Sequence, residues 1–303
     1  MKTYKGFNSD MTCLDYKFEI GKTYEEPAAE VCQYGFHSCK YPLDVFAYYP
    51  PARSRYCEVE ADGVISQSAN DRKIASTKLT VNTEIGIKGI IDATAEYVFD
   101  HPAEKYSPHS SDSCGVALSA CRRGVASSAG KQSIAAAGEY GAAITTGTAS
   151  VALTTEICST ALSKGVNSAA LMEGDLGEAL TTDRNSAALV TGKYSVALST
   201  GDGSIASSTG DRGTALAIGD FSEASAMGEK SIACGLGRGC KAKGAKGCWL
   251  VLAEQASNSE TYESVQAVIV DGEKIKENTY YMLINGEIVE ADGDISPQDL
   301  LPY

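Results

Sequence analysis

From Gly115 to Gly239 the chain repeats itself every nine residues, and the third residue of each repeat is alanine. Rows such as Ser195-Val-Ala-Leu-Ser-Thr-Gly-Asp-Gly, Ser204-Ile-Ala-Ser-Ser-Thr-Gly-Asp-Arg and Gly213-Thr-Ala-Leu-Ala-Ile-Gly-Asp-Phe are copies of one unit. A short fixed period makes a chain stack on itself, so that each unit buries its surface against its neighbours rather than around a common centre. One row is too short to close a two-sided coil, but two rows suffice: a strand, a turn, and the same again returning. Fourteen rows then give about seven coils and, at roughly 4.8 Å per strand, a rod of about 33 Å. The row Ser133-Ile-Ala-Ala-Ala-Gly-Glu-Tyr is one residue short, so the coil must tighten there. A degenerate row from Cys240 keeps the alanine and loses the rest, marking the end of the rod.

Alternation along Ser-Val-Ala-Leu-Ser puts Val and Leu on one side and Ser, Ala and Ser on the other. The larger apolar groups are expected to fill the coil. The alanine line, with Ala152, Ala161, Ala170, Ala179, Ala188, Ala197, Ala206 and Ala215, would then be a flat outer stripe able to pack against a partner or another copy. Glu178 and Glu223 share the parity of Val and weigh against this, since a buried lone carboxylate is costly. The alternative is a very narrow coil with alanine inside. Gly201-Asp202, Gly210-Asp211 and Gly219-Asp220 are expected to be turns in which glycine supplies positive φ.

Aromatic residues avoid the rod. Residues 1–57 hold twelve, whereas the repeats have only Tyr140, Tyr194 and Phe221. Charge is uneven too: the net −13 divides into −5 over 1–114, +1 over 115–248 and −9 over 249–303. A near-neutral rod argues against direct nucleic-acid binding, which needs a basic stripe for the phosphates. No apolar run is long enough to span a membrane, and the opening residues lack a signal-peptide core. The ten cysteines are scattered without a compact framework. They are expected to be reduced thiols in a cytoplasm, the host's if the protein is phage-encoded.

The expected architecture is mainly β: a β-solenoid (β-roll) of nine-residue repeats, two per coil, between a small α+β head and a small β cap. Residues 1–75 form the head, with a short helix over Pro42–Tyr49 stopped by Pro50-Pro51 and a strand from Tyr56 ended by Asp62-Gly63. Residues 76–114 hold a strand, a helix over Ile85–Asp100 that would cap the first coil, and a loop. Residues 115–248 are the solenoid. Residues 249–303 form strands joined by tight Asp271-Gly272 and Asn285-Gly286 turns, with an acidic tail.

Two resemblances follow from these residues. The Ser-Val-Ala-Leu unit with Gly-Asp turns resembles the β-roll heads of trimeric adhesins, whose period is seven rather than nine; this implies architecture, not adhesion. The head motifs Tyr4-Lys-Gly-Phe, Gly35-Phe-His-Ser-Cys, Pro42-Leu-Asp-Val-Phe and Ser54-Arg-Tyr-Cys-Glu-Val-Glu, with Lys243-Gly-Ala-Lys-Gly-Cys-Trp, are similar to a family of uncharacterised proteins of phages, prophages and gut bacteria. That likeness implies a mobile-element origin and carries no activity.

Reactive constellations are sparse. Cys13, Cys32, His37, Cys39 and Cys57 are the best metal candidates, with Cys32, His37 and Cys39 nearest in sequence, but the head lacks the close C-x2-C pair that zinc sites favour. Packed thiols and a backbone-bonded His37 are the plainer reading. His109 and Cys114 could make a nucleophile pair, without any flanking catalytic signature. Asp202, Asp211 and Asp220 recur like calcium-binding turns, yet most rows lack the carboxylate. No phosphate-cradling loop or nucleophile elbow is present. The expectation is therefore a non-enzymatic, cofactor-free protein of phage or prophage origin. It would bind a host protein, as an inhibitor of a defence system such as CRISPR would, or self-assemble as a dimer or trimer. A virion structural or receptor-binding part and an acidic nucleic-acid mimic are the alternatives.

Overall fold

Strands of the repeat region pair in parallel with the strand two rows on: Val151 lies beside Ala169, Ala169 beside Ala187, and Ala187 beside Ile205. In this computed structural model, which describes residues 1–14, 16–67, 73–100, 109–111, 115–119, 122–255 and 261–291, the repeats form a β-solenoid of about eight turns. Each row contributes a four-residue strand from its second to its fifth position, such as Val196–Ser199. Alternate rows stack into two sheets, each brought to ten strands by the antiparallel strands at the C-terminal end. One, the odd sheet, runs from Val116–Ser119 through Lys241–Gly244; the other, the even sheet, runs from His109–Ser110 through Trp249–Gln255.

The short row costs no register. Val125 pairs with Ala142 and Ile134 with Val151, one residue closer in sequence than elsewhere, and the missing residue is taken out of the turn at Gly138-Glu139-Tyr140. The row from Cys240 is shortened likewise, so Trp249 pairs with Ile232 and Leu250 takes the place of an alanine. The solenoid therefore runs past 248, through Trp249–Gln255, and the strand first expected to begin the cap is its last rung.

The coil is narrow, and the inward residues are the alanines. Ala152, Ala161, Ala170, Ala179, Ala188, Ala197, Ala206 and Ala215 are at most 1 % exposed. This corrects the expected outer alanine stripe. The carboxylates at Glu178 and Glu223 decide the parity: the second and fourth positions face outward, and the first, third and fifth fill the interior. First-position serines make a ladder. Ser186 Oγ accepts the Ser168 N–H at 3.2 Å and donates to the Gly165 carbonyl at 3.1 Å; Ser204 repeats this with Ser186 and Asp183 at 3.0 and 3.1 Å. In the last two rungs Cys240 and Cys248 replace serine and donate to Gly219 and Gly228, each at 3.0 Å. Burial pushes the Cys240 thiol up to about 12, so it stays a neutral donor.

The turns also differ from expectation. Positive φ falls on the ninth position, at Tyr194, Gly203, Arg212, Phe221 and Lys230, and not on Gly201, Gly210 or Gly219. There the backbone turns its N–H toward the next coil: Tyr194 N donates to Asp211 O at 3.0 Å and Phe221 N to Arg238 O at 2.8 Å. No Val, Ile or Thr occupies this position, consistent with the steric cost of left-handed backbone for branched residues. The glycines two residues earlier in the same corner answer a different need. A Cβ at Gly192 or Gly210 would strike the backbone carbonyl of Gly174 or Gly192 below, well inside 3.0 Å.

Antiparallel strands close the C-terminal end. Tyr262–Ile269 pairs with Trp249–Gln255, and Tyr281–Ile284 pairs at Ala242 and then with Glu287–Glu290 around Asn285-Gly286. Larger residues, Leu250, Leu252, Val270, Ile275, Tyr281 and Leu283, replace alanine in the core there. Asp271-Gly272 is not a hairpin turn. It starts a loop crossing between the two sheets, in which Asp271 Oδ1 accepts the N–H groups of Glu273, Lys274 and Ile275.

Met1–Tyr106 forms a separate compact unit. Its strands Thr23–Glu25, Lys73–Glu84, Phe36–Cys39, Lys2–Asn8 and Ser54–Gln67 neighbour one another in that order, and a further pairing of Ser54–Gln67 with Lys73–Glu84 closes the sheet on itself. Inside are Phe7, Phe18, Phe36, Val59, Ile74 and Leu79. The strand from Ser54 does not end at Asp62-Gly63; it continues through a bulge there to Gln67. The short helical segment is a 3-10 turn, Pro42–Asp44, running into a helix, Val45–Tyr48. The helix Gly86–Asp100 packs its buried Ile90 and Ile91 within this unit, beside Pro42–Asp44 and Ser54–Gln67. It thus belongs to the same compact unit as the head strands. The expected acidic tail lies outside the described residues.

Candidate interaction surface

With alanine and serine inside, the larger apolar side chains are left on the outer faces. On the even sheet the fourth positions stack Ile144, Leu162, Leu180, Leu198 and Leu216 in one line, all half-buried. The second positions form a parallel line that includes Val125, Val196, Ile232 and Trp249, each exposed. Of the sixteen outward positions from Val125 to Val251, only Glu178 is charged. The face continues onto the antiparallel strand: Ile269 lies beside Trp249 and Val265 beside Ala253. Trp249 is 46 % exposed and Val265 56 %. A contiguous apolar face on this scale exceeds the scatter of single exposed residues normal for soluble proteins.

The odd sheet differs. Its outward Ile134, Val151, Ala169, Leu171 and Ala187 are buried. Toward the C-terminal end its outer face turns polar, with Lys241 Nζ 3.0 Å from Glu223 and Lys243 Nζ 4.7 Å from the centre of the Tyr280 ring. Burial holds the Lys243 ammonium below its usual range and pushes the Tyr280 phenol up.

Both turn edges carry charges of mixed sign. Asp220 Oδ1 accepts the Arg238 N–H at 3.1 Å while its Oδ2 pairs with the Arg238 guanidinium at 2.6 Å. Asp202 and Asp211 similarly accept the N–H of Asp220 and Glu229, each at 3.1 Å. These aspartates serve the next rung's backbone and do not converge on an ion. One edge holds a cleft of about 270 Å³ lined by Lys193, Tyr194, Asp211, Arg212, Glu229 and Lys230, where Arg212 lies over the Tyr194 ring.

In the head, the metal candidates do not assemble. Cys32 is exposed, Cys39 is buried, and His37 Nε2 already accepts the Cys32 backbone N–H at 2.9 Å. Among the described residues no three His, Cys, Asp or Glu side chains gather as a metal site. Lys5 is buried, its Nζ donating to the His37 carbonyl at 2.9 Å and to Cys13 Sγ at 3.5 Å, near the Phe7 ring. Burial, with Lys5 nearby, holds His37 below the ordinary histidine range. The unfolded chain therefore takes up a proton first as pH falls through about 6.5, and stability contributed by neutral His37 is lost over the interval below that value. We expect the slope of urea midpoint against pH between about 7 and 5 to be shallower in His37→Gln than in the parent chain. His109 Nδ1 sits 2.8 Å from Ser127 Oγ at the start of the even sheet. Cys114, its suggested partner, and His101 lie outside the described residues.

Fold and face together define a β-solenoid protein carrying an aromatic-cored β head. Residues 1–93 match the family described as a domain of unknown function, DUF7666. The match takes in the closed sheet and the first half of the head's long helix and stops short of the solenoid. No curated protein and no solved structure matches the chain. Among the described residues no helix is long and apolar enough to cross a membrane.

The sequence reading missed the leucine line because it assigned the larger side chains to the interior. The signal was present: Glu178 and Glu223 share the parity of Val and Leu and cannot be buried unpaired in so narrow a coil.

Proposed function

We propose that this chain is a non-enzymatic interaction protein that works by seating the outer face of its even sheet against another protein. The observation behind this reading is the long apolar face that runs from Val125 onto Ile269, whose sixteen rung positions from Val125 to Val251 carry a single charge, Glu178. The head's resemblance to uncharacterised phage and prophage proteins supports a mobile-element origin and a site of action in the host cytoplasm. Either a host protein, as in interference with a defence system, or a second copy of the chain would satisfy such a face. The mixed charges of the turn edges, with Arg184, Lys193 and Arg238 among the acids, give no continuous acidic stripe, which counts against mimicry of nucleic acid.

The test is capture from infected cells with tagged protein. A partner recovered by the parent chain and by Lys164→Ala, but lost at least tenfold with Leu198→Lys, is the expected result. Equal capture by all three would place the contact elsewhere and overturn the reading.

A further inference from the structure

We infer that the occupant of the even-sheet face is a second copy of this chain, packed face to face about a two-fold axis. The inference rests on the reading of that face as a contact surface and chooses between its two occupants.

Relief carries the argument first. The outward columns at the second and fourth positions are two parallel ridges, with a furrow between them where alanine points inward. Ridges about 7 Å apart, stepping at roughly 4.8 Å, are the contour of an open β-sheet face, and another such face matches them in spacing. A second solenoid has that contour by construction, so a ridge of one copy can lie in the furrow of the other, as in sheet-on-sheet packing.

Size agrees. Eight rungs and the antiparallel strand extend about 40 Å, and four residues span about 13 Å. Two such faces bury about 1,000 Å², at the threshold of a specific protein interface. Trp249, Ile232 and Ile269 supply a large exposed apolar cluster at one end, of the kind that dominates binding energy.

Symmetry limits the assembly. Outward residues of the odd sheet such as Val151 and Leu171 are buried, and the large apolar side chains exposed at outward strand positions of the rungs (Val125, Val196, Ile232, Trp249) all lie on the even sheet. One self-complementary patch closes as a dimer, whereas a ring needs two different patches. Glu178 is the only charge on the rungs of this face and works against burial, so its replacement should strengthen the pair.

Sedimentation velocity on the full chain from about 1 to 100 µM tests this. The expected result is reversible conversion from 31.7 kDa to twice that mass. Leu198→Lys and, as a second probe at the end of the face, Trp249→Glu should each stay monomeric with an unchanged far-ultraviolet circular dichroism spectrum. Glu178→Leu should lower the dissociation constant at least fivefold. A monomer at every concentration overturns the second copy as occupant but leaves the contact face open to the infected-cell capture. A dimer that folded Leu198→Lys and Trp249→Glu both retain overturns the face itself. A trimer overturns the two-fold arrangement.

Discussion

Ala197→Leu is expected to destabilise the solenoid by about 3 kcal/mol, near the top of the range for overpacking a filled core. The Ala197 side chain is fully buried, and alanines of the rungs above and below, Ala179 and Ala215, lie directly beside it. Three added carbons have nowhere to go without parting the two sheets. For the unit Ser107–Tyr303, a loss of that size lowers the thermal midpoint by roughly 6–12 °C. Val196→Leu, one residue away but outward, should change stability by less than about 0.5 kcal/mol. Circular dichroism melts of the two variants distinguish them directly. Equal small effects would return alanine to the surface and undo the parity of every rung.

Ser204→Ala should cost about 2–4 kcal/mol for a different reason. It deletes one hydroxyl and adds no bulk. The Ser186 N–H then loses the acceptor 3.0 Å away, and the Asp183 carbonyl loses the donor at 3.1 Å. Both stand inside the coil where water cannot replace the hydroxyl, and each stranded group costs about 1–3 kcal/mol. Ser204→Cys should recover part of the loss, because Cys240 and Cys248 hold the same post in the last rungs. Denaturant melts check both; an Ala variant as stable as the parent would show that the ladder contributes nothing.

Period, strand pairing two rows apart and the solenoid itself were legible in the residues, since a nine-residue spacing with alternation leaves few other ways to close a chain. The inside of the coil was not, because volume and charge pointed in opposite directions. Leu198 is larger than Ala197, but Glu178 stands in the same column as Val196, and the carboxylate wins. The turns misled for a related reason. Gly210 reads as a positive-φ residue, yet it is glycine because the carbonyl of Gly192 lies beneath it, and Arg212 takes the left-handed backbone instead. Stacking contacts between rungs leave no mark on a single row. The candidate surface followed from the parity, so it was missed with it.

The shortened row at Ser133 removes one residue while every strand keeps its place in the sheets. Length in this protein is therefore a matter of whole rungs, and errors within a rung are absorbed at its corner. Adding or deleting two full rows would lengthen or shorten the outer face by one step and leave its pattern intact. A lineage could thus tune reach without rebuilding either end.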